Sequence, residues 1–219
     1  MNETAFVQLL DLAAGVVLVA SFSALWLRKL VSVTRMLAVQ GFALAVVAMA
    51  IGLYELEREL VAVAVIVAVL RGVVLPGLIM RAVREGDERR EVESLMNVPA
   101  SLLAASGLTL LAYAVTRNLV VLSTAQQVRA LPLGVAVALI GMLMIATRRK
   151  AVLQVSGVLM LDNGIALLIF LGTSGVPLAV ELGIASDVLL AIIILQVLTA
   201  RIRTKFGVTD LDQLRELRD

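Results

Sequence analysis

Seven stretches of this chain are apolar over nearly the whole length an α-helix needs to cross a bilayer, and clusters of Lys and Arg mark every other connection between them. At ~1.5 Å of rise per residue, roughly 20 apolar residues span the ~30 Å hydrocarbon core. The stretches run about Ala5–Leu27, Met36–Leu53, Leu60–Met80, Val98–Val115, Ala130–Ala146, Ala151–Gly172 and Leu178–Ala200. Backbone N–H and C=O groups find no water inside a bilayer, so only helices or closed barrels can cross it. The two-residue alternation of a barrel strand is absent, and long runs of Val, Ala and Leu take its place. The expected fold is therefore all-α, a polytopic bundle of seven transmembrane helices over residues 1–204 with a short tail at 205–219. At 61% hydrophobic residues, 16% charged and a mean hydropathy of +1.02, a soluble domain with one core is excluded.

The basic residues predict an orientation. The first connection holds Arg28, Lys29 and Arg35, the third Arg81, Arg84, Arg89 and Arg90, the fifth Arg148, Arg149 and Lys150, and the tail Arg201, Arg203, Lys205, Arg215 and Arg218. The even-numbered connections hold only Arg58, Arg117 and Arg129. Because Lys and Arg concentrate on the cytoplasmic side, the C-terminus is expected in the cytoplasm and the N-terminus across the membrane. Met1-Asn2-Glu3-Thr4 lacks the basic n-region of a secretory signal, so the first apolar run is read as a helix of the mature protein. The mixed-sign run from Arg81 to Glu93 reads as a solvated cytoplasmic segment. In the tail, Thr209 is placed to cap a short helix with Leu211, Leu214 and Leu217 on one stripe.

The chain contains no Cys and no His. That removes thiolate-held iron–sulfur clusters, imidazole-ligated haem, the usual zinc sites and every catalytic arrangement built on those side chains. Catalysis is not expected of this chain, and neither is a metal or redox centre of its own. The net charge of +2 follows from basic residues at membrane boundaries and does not predict a nucleic-acid partner.

Arg71, Asp162 and Asp187 break otherwise apolar stretches. Measured along a helix from the nearest flanking basic residue, they lie roughly 15, 18 and 21 Å deep, close enough to form one polar layer. An intramembrane charge costs on the order of 2.5–3.5 kcal/mol on insertion scales, so such residues face a protein interior or a wet cavity and find partners. Arg71 precedes Pro76 by five residues, and the missing amide of Pro76 frees the carbonyl of Gly72 beside the guanidinium. Arg71 has two readings, a fixed charge that tunes nearby acids and a structural ion pair with Asp162 or Asp187. An acid held between low dielectric and a cation can exchange protons near neutral pH, which a relay requires, while helix-to-helix hydrogen bonding is the competing account. Asn163, Ser186 and Gln154 are candidate supporting polar groups. Gly157 and Gly164, seven apart, predict close backbone packing beside Asp162. Gln40 reads as an inter-helix hydrogen-bonding residue, and Asp11 and Glu181 as solvated near the far interface.

Several blocks carry a family resemblance: Gln154 to Leu167 (QVSGVLMLDNGIAL), Val180 to Asp187 (VELGIASD), Leu198 to Arg203 (LTARIR), the tail from Gly207 through Leu217, and Arg71 to Met80 (RGVVLPGLIM). In these the chain resembles the hydrogenase-4 component E family, small membrane subunits of energy-converting nickel–iron hydrogenase complexes of the formate hydrogenlyase type. Its C-terminal helices are similar to subunit K of respiratory complex I and its antiporter relatives. The resemblance implies a non-catalytic subunit of a complex I-like membrane arm in a prokaryotic plasma membrane. It implies antiporter-like subunits, a quinone-site-type anchor subunit and a peripheral hydrogenase or related redox module as partners. Nickel–iron and iron–sulfur centres belong to those partners. Asp162 stands where the family has Glu in L-E-N-G, and Arg71 where the family tends to Lys; a buried Lys can lose its proton, whereas Arg stays charged.

Three functions follow as expectations. The chain contributes Asp162, Asp187 and Arg71 to proton translocation or coupling; or it is a scaffold between antiporter-like subunits, with the polar layer as glue; or it is an independent small transporter. The last is disfavoured by the lack of a convincing repeat pair.

Overall fold

The computed structural model describes residues 2–27, 29–85, 96–123, 125–148 and 151–172. Every long element among them is helical. The helices are α1 (Glu3–Trp26), α2 (Leu30–Glu55), α3 (Arg58–Val69), a π-helical turn (Leu70–Val74), α4 (Leu75–Glu85), α5 (Val98–Leu122), a 3₁₀ turn (Gln126–Ala130), α6 (Leu131–Thr147) and α7 (Ala151–Gly172). Six spans, Glu3–Trp26, Leu30–Glu55, Arg58–Arg81, Val98–Leu122, Gln126–Thr147 and Leu153–Gly172, are long and apolar enough to cross a membrane. The chain is accordingly an integral membrane protein. The expected seventh span, with Glu181, Ser186 and Asp187, lies outside the described residues, as does the tail.

The spans overrun the apolar stretches that announce them. Helix α2 begins at Leu30, so Arg35 sits inside it and not in the connection before it. The reason is local: a helix continues past the bilayer edge while its side chains reach water, and Arg reaches far. Helix α5 likewise extends past Val115 to Leu122. It starts where Asn97 accepts a hydrogen bond from the Ala100 amide at 3.0 Å, with Pro99 following in the first turn. Helix α2 stops at Leu56, whose left-handed backbone (φ 60°, ψ 26°) turns the chain directly into α3.

Helix α2 occupies the centre, against α1, α3 with the π turn and α4, and α7. Helix α6 packs along α7, and α5 lies outermost against α6 and α1. The α6–α7 seam is built on glycine. A methyl group at Gly141 would come within 2.4 Å of the Leu161 amide nitrogen, and one at Gly164 within 2.4 Å of the Ala138 amide nitrogen. Gly134 and Gly157 sit against Leu168 and Ile145 on the same seam. Small residues permit this approach, and the van der Waals contact it yields is the main cohesion available between helices already surrounded by hydrocarbon.

The end of the bundle near Trp26 is closed by Arg148, the residue after α6. It is buried, and its Nη2 donates to the Leu25 carbonyl at 2.7 Å, placing a cation on the last turn of α1. Burial pulls the Arg148 guanidinium below its ordinary proton affinity. The opposite end is marked by Phe6 stacked on Tyr54 with ring centroids 4.1 Å apart, and by the hydrogen bond from Gln126 to Glu3.

Candidate functional site: a buried charge on a π turn

The α3–α4 span is interrupted where Arg71 needs to face inward. The Leu75 amide bonds the Leu70 carbonyl, five residues back, and the next residue that would donate is Pro76. A proline in the ladder removes a donor, so the local change of register costs least just before it. The π turn opposes Gly41 of α2. A Cβ at Gly41 would lie 2.3 Å from the Arg71 carbonyl carbon and 2.6 Å from the Gly72 nitrogen, so only glycine lets the widened backbone reach α2. Gly72 in turn lies under the Phe42 ring, 2.9 Å from where a Cβ would stand. Pro76 is buried beside Leu75 on the inner face.

From this turn the Arg71 side chain, 3% exposed, pairs with Asp162 of α7, Nη2 to Oδ2 at 2.7 Å. Its Nη1 donates to Asn163 Oδ1 at 2.8 Å. Asn163 Nδ2 donates to Gln40 Oε1 at 3.1 Å. Gln40, itself fully buried, passes Nε2 to Ser21 Oγ at 2.7 Å and to the Val17 carbonyl at 3.3 Å. Ser21 closes the series by donating to the same carbonyl at 2.9 Å. Donors point one way throughout, from the guanidinium through two amides and a hydroxyl to a backbone oxygen. The series ties α7 and the π turn to α2 and α1.

The direction of the chain limits its chemistry. A guanidinium does not release its proton in a protein, and primary amides neither accept nor pass protons readily, so the Arg71 to Ser21 limb is a fixed electrostatic support. The acid of the pair, Asp162, has a side chain 12% exposed and stands nearer the surface of the described bundle than Arg71. The aligned amide dipoles of Asn163 and Gln40 turn their oxygen ends toward the cation and help to stabilise Arg71 beside Asp162.

Of the residues singled out in the sequence, the structure brings together Arg71, Asp162 and Asn163. Gly157 and Gly164 flank them on the α6 side of α7, and Pro76 ends the π turn. Gln154 is elsewhere: it is exposed two turns down α7 and donates to the Arg148 carbonyl at 3.0 Å, tying the α6–α7 connection. Asp187 and Ser186 lie outside the described residues. Sequence reasoning treated Gln40 as glue and passed over Ser21 and Gly41. The signal available was the Gln40-Gly41 pair inside an apolar run, a polar group next to the one residue that permits close approach.

Among the described residues no group of three or more acidic side chains is placed to hold a metal ion.

No family model matches the chain, and no solved structure matches it. Hydrogenase-4 component E of Escherichia coli is 32% identical to it over 80 residues, 36% of this chain and 37% of that one, and the Shigella flexneri protein of that name matches equally. A Mycobacterium tuberculosis protein, the uncharacterized protein Rv0085, is 47% identical over 220 residues that cover 100% of both chains. The chain belongs to the family of this mycobacterial protein, with a more distant, partial likeness to hydrogenase-4 component E.

Proposed function

We propose that this chain is a non-catalytic membrane subunit of a complex I-like energy-converting hydrogenase or related redox complex, in which Asp162 exchanges protons against the fixed charge of Arg71. The observation that carries the reading is the buried 2.7 Å Arg71–Asp162 pair, held by a one-directional series of donors through Asn163 and Gln40. Buried charges in membrane helices are costly and tend to mark ion pathways. A bare structural pair would not need a second set of dipoles to hold the cation when the acid is neutral, whereas a site whose acid changes charge does. The partial likeness to hydrogenase-4 component E supports the type of complex. Partners on this reading are antiporter-like and anchor membrane subunits and a peripheral hydrogenase or related redox module, which hold the nickel–iron and iron–sulfur centres.

The test is Asp162→Asn in the purified complex reconstituted in liposomes, with proton uptake measured per redox turnover. The expected outcome is a correctly assembled complex that turns over with about a hundredfold or greater loss of coupled uptake, the lower end of what a positioned proton-transferring group contributes. Unchanged uptake in an assembled complex overturns the conduction role. The satisfied geometry of Arg71 also favours a second reading, a scaffold in which the layer only holds helices; there Asp162→Asn lowers assembly on native gels before it lowers uptake per assembled complex.

A further inference from the structure

Helix α1 carries a second polar series, on the side turned away from the bundle. Its inward face is Phe6, Leu10, Ala13, Ala14, Val17, Ser21 and Leu25, all buried. Outward, Thr4, Gln8 and Asp11 are exposed, and Gly15 follows at the same spacing. Steps of four, three and four residues place them on one stripe, the seam of a helix that packs along another helix. Gly15 adds a notch: a Cβ there would meet nothing within 4 Å. Asp11 makes no hydrogen bond or ion pair among the described residues.

The sequence alone reads Asp11 as solvated near the far interface, but its place well inside α1 makes this carboxylate notable. Phe6 stacks on Tyr54, an aromatic residue of the kind that marks the membrane interface, and Asp11 lies about 7.5 Å further along the helix. Arg35 and Arg117, exposed charges also set within spans, have long stems that reach back to water; an Asp side chain is too short to do so. A carboxylate turned toward acyl chains at that level is unfavourable unless another group covers it. A second copy of this chain is a poor cover, because two parallel α1 helices about a two-fold axis would bring Asp11 to Asp11. Residues 173–200 hold Glu181 and Asp187 but no Lys or Arg, so they offer no cation.

We propose that the Thr4–Gln8–Asp11–Gly15 face of α1 is the docking seam for a transmembrane helix of another polypeptide, one that presents a basic side chain to Asp11. Gly15 sets the closest approach, and Thr4 and Gln8 hydrogen-bond the partner nearer the interface. This seam lies on the opposite side of α1 from Ser21 and Gln40, so it does not depend on what Asp162 does.

The experiment places a photo-crosslinking phenylalanine derivative at Leu12, beside Asp11, in membranes of cells that make the chain with its natural partners. The same probe at Leu103, 75% exposed on α5, is the control for non-specific reaction. The expected adduct joins position 12 to an apolar segment of a different polypeptide, within one helical turn of a Lys or Arg. Asp11→Lys cuts its yield at least tenfold, and replacing the partner's basic residue by Asp in that background restores it. Because Asp11 is exposed and makes no hydrogen bond or ion pair among the described residues, the purified Asp11→Lys protein keeps its thermal midpoint, which separates lost docking from misfolding. Adducts only with lipid, with a second copy or with residues 173–219 overturn the proposal, as does a yield indifferent to the charge reversal. If the captured polypeptide is unrelated to a redox complex, the seam stands and the hydrogenase-type reading falls.

Discussion

The α6–α7 seam and the crossing of α2 with the π turn bring backbones equally close, yet they do opposite things with the space gained. At Gly141 an added Cβ would sit 2.4 Å from Leu161, and at Gly41 one would sit 2.3 Å from Arg71. The first seam is closed by apolar contact and presents no group that can change charge. The second admits a guanidinium, a carboxylate and two amides into the same hydrophobic depth. Glycine therefore fixes distance in both places, and the side chains lining the contact decide whether it is a weld or a site.

The strongest way to break this contrast is Arg71→Leu, which removes the cation paired with Asp162 and the donor to Asn163 Oδ1. Removing one partner of a buried pair costs on the order of 3–5 kcal/mol, so a large fall in the thermal midpoint in detergent is expected. Arg71→Leu with Asp162→Leu should recover much of that loss. If the double variant is no more stable than the single, the pair is not what holds α7 to the π turn.

Next come the two glycines. Gly41→Ala and Gly141→Ala each force a methyl group into backbone, at or above the ~1–3 kcal/mol typical of overpacking. Their stabilities should fall together while their functions separate: in assembled complexes Gly41→Ala lowers coupled proton uptake and Gly141→Ala does not. Equal loss of uptake from Gly141→Ala removes the distinction between weld and site. Gln40→Leu is a smaller step. It strands the Asn163 amide N–H at a cost of roughly 1–3 kcal/mol, while the Ser21 hydroxyl keeps its bond to the Val17 carbonyl, and its effect should add to that of a change at Gln154, since the two are uncoupled. Smallest is Gln154→Ala, within about 0.5 kcal/mol, because that side chain is exposed and serves only a connection. A loss of several kcal/mol there would mean that the polar layer extends further along α7 than the described contacts place it.

Much of the fold was legible because a bilayer reduces the problem. Uninterrupted apolar length fixes where helices cross, and the described spans fall on the stretches the sequence marks, with ends displaced at Arg35 and beyond Val115 by side chains that reach water. That Arg71 and Asp162 would need partners was equally legible, since a charge in hydrocarbon needs a reason wherever it points. Asn163 was visible as the neighbour of Asp162, but its role was not.

What the sequence determined by itself is where the six described spans lie and the few positions where their apolar character fails, because both follow from the cost of taking polar groups out of water one residue at a time. Only the tertiary structure decided which of those positions meet. Asp162 faces Arg71, Asn163 reaches Gln40, Gln40 reaches Ser21, and Gln154 and Asp11 turn elsewhere. The physical reason is rotation about the helix axis: equal depth is a property of position along one helix, whereas contact depends on the angle each helix presents to its neighbours. That angle is set by Gly41, the π turn before Pro76 and the glycine seam of α6 and α7, where backbones are in contact and no other orientation fits.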